Sequence, residues 1–524
     1  MNKLVLFIVL TTCIFIFTNC INENQRHTEA DHLGTVHIHY NGSVEAMPYF
    51  EKGLKLLHNF EYDSACKNFL KARELDPSFV MACWGEAMTY NHPLWRQQDY
   101  DKGLAALGKL AATPEERMAL AKTDLERDFL HGMEIMYGPK GNKKERDSLY
   151  AAHMEKMYRQ YKGNDEVASF YALSLLGSVK VGRDVATYEK GAEVAKGILR
   201  HNPDHPGALH YLIHSYDDPE HAPMALSAAY SYSKVAADAT HALHMPSHIF
   251  VSVGLWDEVV RSNIASWTAS AEAAQKDTTS KSFGSYHALH WWMYGLLQQG
   301  RFDEARQLVA DMYRYTTEKP TLSARGYLIA MKGNYLAETG EWTGEVAAFK
   351  TSAANLNIAT QAREHFLNGM AAYSRQDAGA LAGVIDTMEA ARKKAAKLVS
   401  EEGIPMCSSG GANRQAPNQA DLDHAQILEL QLRSRLAQLN GKPQQTENLL
   451  RKAADLEART SYSFGPPTIV VPSFEMYGRF LLEQGRPEEA AVQFDKALEK
   501  GPRRRLALQG RHLADQRINA MNGS

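Results

Sequence analysis

At 524 residues the chain is too long for one small hydrophobic core, so it must form a long repeat array or several domains. Its formal charge of −3, with no basic block, argues against a nucleic-acid partner. Hydrophobic residues make up 44% and charged residues 23%, an ordinary globular balance. Helical periodicity in Ala, Leu, Glu and Lys is common and alternating strand-like runs are rare, so a nearly all-α fold is expected.

The first 20 residues stand apart. Lys3 gives a positive start, and the apolar run from Leu4 to Phe17 is short for a membrane span but suits a secretory signal. It ends at Phe17-Thr18-Asn19-Cys20, after which the chain turns polar. This resembles a bacterial lipoprotein signal, with Asn19 where Gly, Ala or Ser is usual. The resemblance implies lipidation of Cys20 and an exported chain anchored to the cell envelope, at the outer membrane or in the periplasm. An uncleaved anchor and an ordinary signal peptide are the other readings. Contact with a membrane is expected only through this N-terminal anchor, since no later run is long and apolar enough to cross one. Cys13 lies in the signal, and neither CxxC nor CxxCH occurs, so a zinc ribbon or covalent haem is not indicated. Cys66 and Cys83 either pair across stacked repeats or remain two buried thiols, and Cys407 stands alone.

Residues 21–45 are polar and carry His27, His32, His37 and His39, which reads as a tether with solvated histidines. From Ala46 a repeat becomes explicit. Gly53, Ala65 and Ala72 are small where two helices must approach, Tyr49, Leu56 and Phe69 fill the space between them, and Pro77 ends the second helix. The next unit starts near Val80, with Ala87 and Tyr90 at the places of Gly53 and Leu56, which sets a period of about 34 residues. His58 and His92 are separated by the same period. Residues 46–112 form this first pair of units. Residues 113–200 are helical but poorly matched: Thr113-Pro114 is a helix start, 138–141 a turn, and helices are predicted at 143–161, 165–178 and 184–200. The central region, 201–400, holds units counted from Pro206, Thr240 and Tyr286 and one containing Gly340-Glu341-Trp342. Residues 401–425 read as a flexible Gly/Ser/Pro-rich loop. A last well-matched unit lies in 426–510, with Gly478, Gly485, Ala490, Phe494, Ala497 and Pro502 in place. Residues 511–524 complete a tail that begins basic at Arg503-Arg504-Arg505 and caps the stack.

The spacing and the small and aromatic residues resemble the tetratricopeptide repeat, most closely in 46–112, 206–345 and 471–505. The phrases LLHNFEYDSA, WGEAMTYNHPLW and HALHMPSHIF also resemble a group of exported bacterial repeat lipoproteins. The resemblance implies an α-solenoid, a right-handed superhelix whose concave wall is made of the first helices. It implies a protein, peptide or small-molecule ligand in that groove, usually without catalysis.

Histidines are concentrated in the central units: of 21 in the chain, nine lie between His205 and His290. His210 and His214 recur one repeat period later as His244 and His248. Counting each unit from its first residue, His210, His244 and His290 take the fifth place, His214 and His248 the ninth, and His241 and His287 the second. Spacings of three and four put such side chains on one helix face, and the repeat geometry would aim that face into the groove. Adjacent helices at about 8–10 Å are close enough for histidines of neighbouring units to share an ion. Three readings stand. His58, His92, His241, His287 and His290 line the groove with the others as a polar wall. Or His210, His214, His244 and His248 bind zinc, copper or iron, with Asp217 as a further ligand or holding a tautomer. Or protonated histidines recognise an anionic ligand. Pro246, between His244 and His248, breaks the local helix rule. Glu86 and Trp84, Trp95, Trp291 and Trp292 are lesser candidates, read mainly as a surface glutamate and core aromatics. No nucleophile elbow, P-loop or dinucleotide fingerprint occurs. The expected function is a groove-binding envelope protein. The alternative is a metal-dependent enzyme, hydrolytic or oxidative, built on the histidines.

Overall fold

The structure, a computed structural model, describes residues 31–37, 40–179, 182–399, 416–460 and 465–522. The signal with Cys20, the residues His27 and His39, Cys407 and the stretch 400–415 fall outside the described residues. Contacts divide the chain into Met1–His32 and Leu33–Ser524. Of the first unit only Asp31 and His32 are described, without regular structure, and everything below belongs to the second.

The fold is an all-α solenoid of helical hairpins. Among the described residues the β structure is one two-residue ladder, Asn91–His92 with Gln97–Gln98. Local chemistry explains where helices begin. Thr113, Thr123, Asn142 and Asn418 each close a reciprocal capping box with an acidic residue three positions on. The predicted helices at 143–161, 165–178 and 184–200 are found as Lys143–Gln160, Asp165–Ser178 and Val185–Leu199. Within a hairpin the helices approach so closely that a Cβ on Gly53 would stand 2.9 Å from the Phe69 ring. The hairpin turns use the left-handed region, with Gly254, Gly300 and Gly485 at φ 70°, 75° and 71°. Two hairpin turns put a side chain there instead, Phe60 and Gln376, each at φ 57°, which costs about 1–2 kcal/mol.

The structure sharpens three readings. The tether ends early: Leu33, Val36 and Tyr40 are buried, Thr35 donates to the Asp204 carbonyl at 2.9 Å, and Tyr40 packs edge-on to Phe50 and Phe129. These apolar residues are spaced too widely to show a helical stripe, so the composition hid them. The tail is helical, running as Arg505–Asn522. Of the two readings for Cys66 and Cys83, the free thiols hold, with Cys83 buried and Cys66 half-buried.

The solenoid folds back on its own middle at both ends. The helix Met47–His58 rests on Pro206–Ser215, where the absent side chain of Gly207 leaves room for the His58 ring. At the other end Arg504 enters the central units. It is 3% exposed, donates to Tyr294 Oη at 2.7 Å, and pairs with Glu338 at 2.7 Å and with Glu475. Trp256 Nε1 donates to the Arg503 carbonyl at 3.1 Å. Removing Arg504 takes its close partner from the buried Glu475 carboxylate and leaves Glu338 only its longer pair with Arg505 at 3.1 Å, so Arg504→Met should cost about 3–5 kcal/mol in urea unfolding. Breaking the exposed pair Arg306–Asp303 by Arg306→Ala should leave the midpoint unchanged. Equal midpoints for the two variants would exclude Arg504 as the clamp.

Candidate metal centre

Where the first unit meets the central ones, six histidines form two neighbouring triads. His210, His214 and His241 offer nitrogens all within 4.8 Å of one another, as do His244, His248 and His287. His210 and His214 lie one turn apart on Pro206–Ser215. His241 comes from the start of the next unit, on Thr240–His244. That helix is held from outside by Glu61, which accepts from the His241 backbone N–H at 3.0 Å and from Thr240 Oγ1 at 2.7 Å. The second triad repeats the plan. His244 and His248 straddle Pro246, where Thr240–His244 gives way to Pro246–Val253 with Met245 still in helical conformation. His287 comes from the start of Tyr286–Gln298. The rule is therefore places five and nine of one unit with place two of the next. A third triad would need a histidine at the ninth place of the third unit, where Tyr294 stands.

Proton positions follow from the partners behind the rings. His244 Nδ1 lies 2.7 Å from Asn263 Oδ1. The Asn263 amide is oriented by its own bond to the Val259 carbonyl at 2.8 Å, so His244 Nδ1 must donate. His248 Nδ1 donates to the Asp217 carboxylate at 2.6 Å. His244, kept neutral because burial pushes it down to about 3, has one N–H and therefore a bare lone pair on Nε2, which faces His248 Nε2 at 3.2 Å. A positive centre, proton or metal, belongs between two nitrogens at that distance. In the first triad His210 Nδ1 donates to the His58 carbonyl at 2.7 Å. Its bare Nε2 faces His214 Nε2 at 3.1 Å and His241 Nε2 at 3.2 Å. Nitrogens about 2.05 Å from one tetrahedral ion stand about 3.3 Å apart, which fits all three separations.

Burial keeps His210, His214, His241, His244 and His287 neutral. His210, His214, His244, His248 and His287 are all buried. Burial pushes His210 and His244 down to about 3. His214 and His287 are held far below the usual range, by burial first and by the neighbouring histidines second. These are neutral ligands at ordinary pH. The rings stand close across the two triads, His214 to His248 at 5.9 Å and His241 to His244 at 6.4 Å between centroids. Aromatic walls enclose them. Phe60 lies 4.3 Å from His210 and 5.6 Å from His241, and Trp291 lies 4.9 Å from His244 and 4.6 Å from His248.

The other expected residues fall outside the triads. Asp217 sits behind His248 and holds its tautomer instead of offering an oxygen to the centre. His290 pairs with Asn334 Oδ1 at 2.7 Å. His92 stacks on Tyr62 at 3.9 Å and bonds the Thr89 carbonyl. His58 is fully buried and turns away: its Nε2 meets Glu166 at 2.8 Å and its Nδ1 meets Tyr211 Oη at 2.9 Å. The expected solvated groove wall does not describe these side chains, since His58, His210, His214, His244 and His248 are out of water. Glu86 is buried between Arg73 and Lys109, away from the triads. Phe60, Glu61, Asn263 and Tyr327, which reaches His287 Nδ1 at 3.1 Å, were not singled out from the sequence. The partners behind His210, His244, His248 and His287 are a geometric feature without a fixed spacing.

A further cluster, His58, Glu166 and His205, offers three possible donors within 4.8 Å, but here the protons balance without an ion. His205 Nδ1 accepts from the Ala208 backbone N–H at 3.1 Å, so its Nε2 carries the proton that faces Glu166 at 3.3 Å. His58 also turns an N–H to the same carboxylate. This is an internal clamp.

No family model matches the chain, and no curated protein matches it. Solved structures align with it along much of its length. Yeast Tom70 is 11% identical, with TM-score 0.31, covering 91% of this chain and 90% of that one. The Cut9–Hcn1 hetero-tetramer of APC/C is 11% identical, with TM-score 0.34, covering 92% and 78%. Ypp1 is 8% identical, with TM-score 0.41, covering 91% and 86%. Scores of this size carry no argument about function.

The clamp gives a pH signature. Burial alone would raise the Glu166 carboxyl, but His58 and His205 outweigh it and bring it from 4.5 to about 2. Its folded value lies below its unfolded one, so this stabilisation is full above pH 4.5 and lost as pH falls through about 2. In chelator-treated protein, Glu166→Gln should cost about 3 kcal/mol near neutral pH. The gap should close as pH drops across that window, and a gap constant with pH would remove the reading of Glu166 as a carboxylate held ionised by the clamp.

Proposed function

We propose that this chain is a transition-metal protein whose centre is the pair of triads His210, His214, His241 and His244, His248, His287. One observation supports this above the rest: each triad brings three histidine nitrogens within 4.8 Å of one another, and the Nε2 atoms of His244 and His248 face each other at 3.2 Å with both Nδ1 atoms committed to Asn263 and Asp217. Neutral imidazoles suit zinc, copper and iron. Three ligands per ion leave a coordination position open, which is how catalytic sites differ from structural ones. A metal-dependent hydrolytic or oxidative activity is therefore the reading to pursue. The leader-like first 20 residues suggest that it works at the cell envelope. The helical-repeat architecture also suits a scaffold holding a protein partner, but that role alone leaves the two triads without a purpose.

The test is elemental analysis of the full chain, purified without an affinity histidine tag and incubated with zinc, copper or iron. Bound metal should be present in the native protein and in His290→Gln, and lost from the triads in His244→Gln/His248→Gln. Asp217→Asn should weaken binding about 10–100-fold, because it removes the carboxylate that orients His248. No metal from any of the three ions would end the proposal.

A further inference from the structure

We infer that the two triads take a pair of copper(I) ions and that the pair reacts with dioxygen. This rests on the metal reading above and narrows it to one ion and one substrate.

The first ground is charge. Both triads are wholly histidine. The nearest carboxylate in the hydrogen-bond shell, Asp217, is spent on the far side of the His248 ring. Two divalent ions would bring four positive charges into a buried pocket with no anionic ligand. Repulsion between them would be about four times that between two monovalent ions at the same separation, and the cost of burying each ion also rises steeply with its charge. Copper(I) is the monovalent transition ion that imidazole binds well, and three nitrogens satisfy it without an added anion.

The second ground is the neighbourhood of the triads. Ring centroids only 5.9 Å and 6.4 Å apart across them put the two ions within reach of one small molecule. Phe60, Trp291, Tyr211 and Tyr232 surround the histidines, and Trp291, Tyr211 and Tyr232 are fully buried. His210 stacks on Tyr232 at 5.3 Å. An apolar diatomic enters such a space without giving up hydration, whereas an anion would have to be desolvated.

The reaction balances. Each copper(I) gives one electron and becomes copper(II). Dioxygen accepts the two electrons, keeps its O–O bond as a single bond, and becomes peroxide bound to both ions. No proton moves. The pocket holds two positive charges before the reaction, from two copper(I), and two after it, from two copper(II) and one peroxide dianion. Dioxygen thus supplies the anion that the donor set lacks, at the moment the metal charge doubles.

The experiment loads the full chain anaerobically with copper(I), removes excess ion, and then admits air-saturated buffer at an oxygen electrode. Two copper ions per chain and one dioxygen consumed per two copper ions are expected. The oxidised product should be silent in electron paramagnetic resonance, because two adjacent copper(II) spins couple. His214→Gln should hold half the copper and consume less than a tenth of the oxygen. His214 suits the purpose because its Nδ1 has no protein partner, so its loss breaks no supporting bond. Circular dichroism checks that the variant folds, and the stoichiometry of the native chain decides the matter without it. Tight zinc or iron binding with no copper(I) taken up would overturn this inference and leave the metal reading intact. Two bound copper ions with no oxygen uptake would overturn it as well. Failure of every metal would overturn both.

Discussion

A buried neutral imidazole has one N–H to place and one lone pair to leave, and the fold decides which points where. In this chain the N–H groups of His210, His244 and His248 are turned outward, onto the His58 carbonyl, Asn263 and Asp217. Their Nε2 atoms are turned inward, onto other histidines at 3.1 to 3.2 Å. The contrast with His58, Glu166 and His205 is instructive because the residue types overlap. There the carboxylate lies between the rings and absorbs the protons. In the triads the carboxylate of Asp217 lies behind a ring and fixes which nitrogen faces inward. Position alone separates a structural clamp from a site that calls for a cation.

That orientation depends on closure of the solenoid. His58, Phe60 and Glu61 belong to the first unit, far before His210 in sequence. The fold-back brings the His58 carbonyl to His210, the Phe60 ring over the first triad, and the Glu61 carboxylate to the start of the His241 helix. Phe60 accepts left-handed geometry at this turn, as Gln376 does in a later hairpin. The far end contributes in the same way. Arg504, tied to Glu338, Glu475 and Tyr294, anchors the last units against the helix Tyr286–Gln298, which also carries His287.

The repeat architecture was legible because its period is written in small residues and turns, and Gly53, Gly254 and Gly485 are where close approach or positive φ demands them. The pairs His210/His214 and His244/His248 were also legible, since a spacing of four fixes a helix face. The grouping was not. His241 stands three residues before His244 and reads as its neighbour, yet its Nε2 meets His210 of the preceding unit at 3.2 Å. A residue at a helix start can face the previous hairpin, and the angle between hairpins decides whether it does. Burial was missed for a related reason. The concave surface of an open solenoid is wet, but closure by the first unit turns part of it into interior.

The same closure explains how such a centre can persist in a chain of otherwise ordinary composition. Inward nitrogens and desolvated rings are a local cost, and a loose array would relieve it by opening. Here the cost is offset at a distance, by apolar packing of the first unit on Pro206–Ser215, by the buried hydrogen bonds to Glu166 and by the buried ion pair of Arg504. These contacts do not touch the inward nitrogens, so they hold the triads in shape before any ion arrives. A site shaped in advance can take a metal without ordering the chain at that moment. The repeat thus works as a frame that carries one three-nitrogen arrangement from a unit to the next.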